Sequence, residues 1–431
     1  MKTGELKTVF CILTFIIALC WTTDTYSCSK VVLKKSVNLQ SQLKKENATY
    51  VVKHDFDLKE AQISIPKGSK LLFQGGSLNN GTILGNGTVI SAEKVRVFNN
   101  ITLSGSWSNK KVYSEWLDFV EGKKVDNAMN FKNLMLLCAG DEMTDLYMQK
   151  GVFYCSVITG TSNIKVPSNV YWHNSATLCQ VTTDSPKYSF VLLHKSNNVT
   201  IDGGEFVGDV QTHTGTDGEW GHGIKLAGAT NVVLKNIVCR EFWGDGIDLI
   251  EADYVSSIKA GVGPCDGITI DNVKCLYNRR QGLSIEAAKN VEVKNSEFAY
   301  TGKYKLTEPG CGFDIEPWCR NEEKIYNIRV TNCNVHDNNP LRDFCIESNL
   351  VYWGNEPNPE NTPTNMIRVK NSKLGRLHIQ GANTVTISNC DIDDIMRCTF
   401  SHNIDISESV IKGTSGMSKA EGLKISRRKR Q

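Results

Sequence analysis

Four short stretches hold the residues best suited to chemistry: GHGIKL (221–226), GDGIDL (244–249), QGLSIE (281–286) and CGFDIE (311–316). Each sets a glycine turn ahead of a brief strand-like run. Residues two apart on a strand share a face. Aligned on their glycines, the four put Ile224, Ile247, Leu283 and Phe313 on one side. Lys225, Asp248, Ser284 and Asp314 fall on the other, toward solvent, with Glu286 and Glu316 two residues further along.

A strip of this kind suits glycosidic hydrolysis. Adjacent parallel strands lie about 4.8 Å apart, so Asp248 and Asp314, two steps apart, are separated by roughly 9–10 Å at the backbone. Inverting glycosidases set their carboxyls about 6.5–9.5 Å apart, and retaining ones about 5 Å, nearer the one-step spacing of Glu286 and Glu316. Close-set carboxylates push one pKa up and supply a proton donor. Asp248 and Asp314 are the leading catalytic candidates, with Asp245, His222 and Glu316 assisting. Lys225, Glu286, Arg279 and Arg280 are candidates for substrate binding. So are Trp220, Trp243 and Trp318, because sugar rings stack on indoles. The plain alternative is that outward strand positions are polar by default and the indoles cap the core.

A lyase or uronate epimerase would use the strip differently. Arg279, Arg280, Lys225 and Arg342 would neutralise a uronate carboxylate, and Asp248, Asp314 and Glu316 would hold Ca²⁺ through oxygen ligands. No compact calcium loop and no tight CxxC pair is present, so no metal ligands are assigned. A third class is a non-catalytic glycan-binding scaffold.

The elements that must position these residues form a repeat. A strand written x-Φ-x-Φ-x-N begins near residues 198, 231, 267, 290, 327, 366, 384 and 403. Its apolar pair is Val199/Ile201, Val232/Leu234, Ile268/Ile270, Val291/Val293, Ile328/Val330, Ile367/Val369, Val385/Ile387 and Ile404/Ile406. Asn236, Asn272, Asn295, Asn332, Asn371 and Asn389 close six of the units, and an apolar residue follows three later. One unit cannot bury its own apolar side, whereas stacked units bury a continuous column. The stacked asparagines can hydrogen-bond along it. Cys239 and Cys275 fall at equivalent places and read as packed thiols. Irregular spacing leaves loops at 207–220, 251–264, 300–310 and 352–364, where specificity would sit. Ala128, Phe131, Leu134, Met135 and Cys138 are at helical spacing behind an Asp126 N-cap, which predicts a helix over 127–138. Short strands with Asn-Gly turns fill residues 65–107.

On these units, the helix and the leader GSLNNGTILGNGTVI, residues 65–415 resemble the pectate-lyase-like right-handed parallel β-helix superfamily. The resemblance implies an all-β solenoid with an N-terminal capping helix, acting on polysaccharide along the outer face of one sheet. DGID (245–248) and GHG (221–223) look like polygalacturonase motifs, but their order is reversed, and the middle Asp-Asp pair and the Arg-Ile-Lys motif are absent. The resemblance carries over at most Asp245, Asp248 and His222; the outer-face carboxylates favour a glycoside hydrolase, with a polysaccharide lyase or uronate epimerase, or a non-catalytic glycan-binding surface protein, as alternatives.

Lys2 and Lys7 precede the apolar run 9–21, which reads as a signal peptide over 1–27. Cys28 would then open the mature chain, behind the loose lipobox Thr25-Tyr26-Ser27, and a lipid on it would be the one membrane attachment. The expected location is periplasmic, cell-surface or secreted. Residues 28–64 are mixed and polar, and 416–431 form a basic tail. A net charge of +3 over 431 residues gives no field for nucleic acid. Of 15 cysteines, Cys311 and Cys319 could pair across a loop. The sequons at Asn47, Asn80, Asn86, Asn100 and Asn198 read as turn asparagines.

Overall fold

The computed structural model describes residues 29–156, 162–252, 263–317, 325–339, 342–348, 364–416 and 423–427. The signal-like run, Cys28, Trp318, Cys319 and most of the loops at 251–264 and 352–364 lie outside these residues.

The chain winds as a right-handed parallel β-helix, each coil supplying a strand to each of three ladders. The repeat units form the first ladder in the expected register. Val199 pairs with Val232, then Ile268, Val291, Ile328, Ile367, Val385 and Ile404 follow in turn. All eight side chains are buried. The second ladder stacks Phe206, Cys239, Cys275, Phe298, Val335, Leu374, Ile392 and Ile411. Cys239 and Cys275 are fully buried neighbours in it, so burial drives both thiols well above the ordinary thiol range. The third ladder holds the four glycine-led stretches.

The closing asparagines have a backbone reason. Asn236, Asn272, Asn295, Asn332, Asn371 and Asn389 all sit at φ between 53° and 58°. Left-handed backbone costs most L-residues about 1–2 kcal/mol, and asparagine tolerates it best after glycine. Their amides also run up the stack: Asn272 Nδ2 donates to Asn236 Oδ1 at 2.9 Å and Asn389 Nδ2 to Asn371 Oδ1 at 2.8 Å. These ladders are exposed, at the corner of the coil and not inside it. Of the five sequon asparagines, Asn47, Asn80, Asn100 and Asn198 share the positive φ and Asn86 does not; all but Asn47 lie within strands.

Residues 30–107 build a separate seven-stranded parallel sheet, which starts before the expected leader. Its strands at Lys30–Val32, Thr49–Val52, Phe56–Asp57 and Gln62–Ser64 come from the stretch whose sequence shows no repeat. The helix spans Ala128–Cys138. It packs between strand Phe98–Trp107 of that sheet and the first coil of the longer stack. Phe131, Leu134, Leu137 and Cys138 are its buried face, and Asn133 stitches it to Leu103 N and Ile101 O. Asn127 occupies the N-cap position without a side-chain capping bond, and Asp126, one residue before it, supplies the oxygen instead, its Oδ1 accepting from Ala128 N at 3.0 Å.

Candidate functional site

The third ladder fixes the geometry of the site. Ile224 pairs with Ile247, Leu283 and Phe313 in turn, and Lys225 with Asp248, Ser284 and Asp314. The ladder continues one coil further, with Phe344 beside Phe313 and Cys345 beside Asp314. Each strand bends at its glycine, so the residue before it also faces outward. A Cβ on Gly223 would lie 2.6 Å from Cys239 Sγ, one on Gly246 2.7 Å from Gly282 O, and one on Gly282 2.3 Å from Gly312 O. The coil is too tight there for any side chain. His222, Asp245, Gln281 and Cys311 consequently form a second outward row beside Lys225, Asp248, Ser284 and Asp314.

The strip faces outward, yet it is not open to water. Asp245, Asp248, Ser284 and Asp314 are all 0% exposed. The alternation of the strands determines the side on which a residue points and says nothing of what lies over it. Long side chains supply that cover. Lys225 Nζ reaches Asp248 Oδ2 at 2.6 Å. Arg280 lies across Asp245 (Nη1–Oδ2 3.0 Å) and Glu316 (Nη2–Oε1 3.0 Å), with Glu286 Oε1 3.9 Å from Nη1. Gln281 Nε2 donates to Asp314 Oδ2 at 2.9 Å and to Glu316 Oε1 at 2.6 Å. His222 spans the two rows, Nδ1 to Asp245 Oδ2 at 3.2 Å and Nε2 to Asp248 Oδ2 at 3.7 Å. Lys225, Glu286 and Glu219 reach the surface, with side chains 20%, 16% and 35% exposed.

Charge divides the acids into two states. Burial works to raise the Asp245 carboxyl, but Arg280 and His222 override it and hold it below the ordinary carboxylate range. Burial, and then the Asp248 carboxylate, push Glu286 well above its ordinary value. Burial also raises Asp314, helped by Glu316, and it raises Glu316 against the pull of Arg280. Lys225 stays protonated, because Asp248 and Glu286 outweigh its burial. Oδ1 of Asp245, of Asp248 and of Asp314 are buried without a hydrogen-bond partner. Native interiors leave few such atoms, and each calls for an explanation.

The remaining candidates separate. Trp220 and Trp243 occupy equivalent positions, but Trp220 is 48% exposed whereas Trp243 is buried. Trp243 is sandwiched between His213 (centroids 3.8 Å apart) and the Arg279 guanidinium (3.8 Å). Arg279 also donates to the carbonyl of Gly218 at 2.7 Å. Both residues thus fasten the loop at 207–220 to the coil and are removed from the carboxylates. The donor set does not fit Ca²⁺: Asp248 is taken by Lys225 and His222, Glu316 by Arg280 and Gln281, and Asp314 sits beside two thiols. Ca²⁺ needs six to eight oxygens. Cys345 and Glu347 were missed from sequence, although FCIE (344–347) echoes FDIE (313–316).

No family model matches the chain. It is 29% identical over 160 residues to the uncharacterized protein YclG of Bacillus subtilis, covering 34% of this chain and 26% of that protein. It is 21% identical over 247 residues to the SPbeta prophage-derived uncharacterized protein YorA of the same organism, covering 52% of this chain and 42% of that one. The chain therefore spans less than half the length of these curated relatives. Among solved structures, ORF18 of Geobacillus virus E2 superposes with a TM-score of 0.51 at 10% identity, over 73% of this chain and 59% of that one. The fold is a right-handed parallel β-helix. Weaker superpositions with the same β-helix type include the tailspike gp49 of Acinetobacter baumannii bacteriophage Fri1, described as a capsular polysaccharide depolymerase (TM-score 0.42, 12% identity, 71% of this chain and 58% of that one). Pectate lyase Pel9A is another (TM-score 0.39, 12% identity, 70% and 72%).

Proposed function

We propose that this β-helix is an exported polysaccharide-degrading enzyme, a glycoside hydrolase whose site is the outward strip around Arg280. The observation that carries the reading is the contrast between Asp245 and Glu286, two carboxyls held 3.0 and 3.9 Å from the same Arg280 Nη1. They therefore lie within 6.9 Å of each other. That bound admits the carboxyl separations of glycosidases. One carboxyl is held below the ordinary carboxylate range by its cations and the other is pushed well above it by burial, and a pair pushed apart in this way divides acid from base. Glu286, which reaches the surface, protonates the leaving oxygen. Asp245, or Asp248 beside it, supplies the negative charge that the oxocarbenium-like transition state requires. His222 bridges those two carboxylates and fixes their orientation. Lys225 and Trp220 lie where an incoming sugar arrives first.

Glu286 takes the place of Asp314 among the catalytic acids in this reading, because Asp314 lies deeper and adjoins the Cys311 and Cys345 thiols. A second reading, a lyase acting on uronates, is favoured by one feature: Arg280 and Lys225 interleave with the acids, where a substrate carboxylate needs neutralising. Incubation with a panel of acidic and neutral polysaccharides separates them. New reducing ends without ultraviolet-absorbing product mean hydrolysis, unsaturated ends mean a lyase, and binding without either removes the enzyme.

A further inference from the structure

Cys311, Asp314 and Cys345 come from adjacent coils and are all fully buried. A sulfur from each cysteine and an oxygen of Asp314 lie within 4.8 Å of one another. The two sulfurs are 3.1 Å apart. Both thiols are free, so no disulfide commits them. The third donor is independently conspicuous, since Asp314 Oδ1 has no hydrogen-bond partner although it is buried. Gln281 Nε2 holds the other oxygen at 2.9 Å, which fixes the carboxylate's orientation, as residues behind a metal ligand do.

We infer that Cys311, Cys345 and Asp314 form a binding site for a soft divalent cation of the Zn²⁺ class. Two thiolates and one carboxylate match zinc's preference for sulfur mixed with nitrogen or oxygen, and three protein ligands leave the fourth tetrahedral position for water. Sulfur donors disfavour Ca²⁺ and Mg²⁺. Two Zn–S bonds of about 2.3 Å at a tetrahedral angle hold their sulfurs about 3.8 Å apart, so the ion fits after a sub-ångström spread. Each thiol gives its proton to solvent as it becomes a ligand. The site joins consecutive coils at one end of the carboxylate strip. It does not depend on the hydrolase reading, because Glu286, Asp245 and Asp248 are not ligands.

The test uses the full chain, stripped of metal and kept reduced, titrated with Cd²⁺ and then Zn²⁺. The expected result is one equivalent bound, an ultraviolet sulfur-to-cadmium charge-transfer band, and a Zn²⁺-dependent rise in Tm. Cys311→Ser and Cys345→Ser should each weaken binding by more than about 100-fold, beyond the loss typical of residues behind the ligands. Asp314→Asn should weaken it as well, while Cys275→Ser, a buried thiol elsewhere in the stack, should leave it unchanged. X-ray absorption on the zinc-loaded wild type should show two sulfurs at about 2.3 Å, which settles the matter even if a serine variant fails to fold. Absence of saturable binding, a band that survives both serine substitutions, or a zinc shell without sulfur overturns the site. A Cys311–Cys345 disulfide in the chain as isolated overturns it too.

Discussion

Arg280 meets Asp245 at 3.0 Å with both side chains almost wholly out of water. The same guanidinium serves Glu316 at 3.0 Å and stands 3.9 Å from Glu286, so one cation balances acids from three successive coils. Removing one partner of a buried pair leaves an uncompensated charge and costs about 3–5 kcal/mol. Arg280→Met should therefore lower the unfolding free energy by that order at pH 7, read from urea denaturation. Arg279→Met, which loses a stack on Trp243 and no carboxylate partner, should cost less.

Glu286→Gln should reduce turnover on the polysaccharide found by panel screening by about 10²–10⁴-fold, the usual contribution of a general acid. Asp245→Asn should do likewise. Reducing-end assays on the folded variants check both, and full activity in either removes it from the mechanism.

The pH dependence has a definite sign. Glu286 has a folded pKa raised above its unfolded value. Its neutral form therefore favours the fold fully below the unfolded pKa, and that contribution is lost as pH rises through the folded pKa. Asp245 is depressed, so its contribution is present above its unfolded pKa and lost as pH falls through the folded one. Glu286→Gln should gain stability relative to wild type as pH climbs from 5 to 8, read by chemical unfolding at each pH. A constant difference would mean that Glu286 is not held protonated.

Gly282→Ala should destabilise by about 1–3 kcal/mol, the range for overpacking a filled interior. Its new Cβ would lie 2.3 Å from the carbonyl oxygen of Gly312, which belongs to the backbone of the next coil and cannot swing aside. Thermal unfolding checks this.

Asn272 tests the corner ladder. It has φ 54° and donates to Asn236 at 2.9 Å. Asn272→Gly and Asn272→Ala both lose the bond, but only alanine must also enter the left-handed region, at about 1–2 kcal/mol. The glycine variant should be the more stable by that margin.

The register of the strip was legible in sequence because glycine and the apolar residue after it mark the same bend in every coil. Lys225, Asp248, Ser284 and Asp314 could be lined up from those marks alone. Their burial could not, since it comes from Arg280 and Gln281, which start at the bend and reach across coils. The approach of Cys311 to Cys345 escaped notice because they are 34 residues apart and one row offset. The strands between 30 and 64 escaped because they are two to four residues long and carry no recurring asparagine.

The stack also sets a ruler. Every coil advances by one strand spacing, about 4.8 Å, whatever the length of its loops. The distance between any two groups on the strip is thus quantised by how many windings separate them. Excising the single winding that carries Ser284 would seat Asp248 directly against Asp314 and leave the apolar columns continuous. Chemistry on such a scaffold can be re-spaced by adding or removing whole windings, a kind of change that a sheet of fixed strand number does not permit.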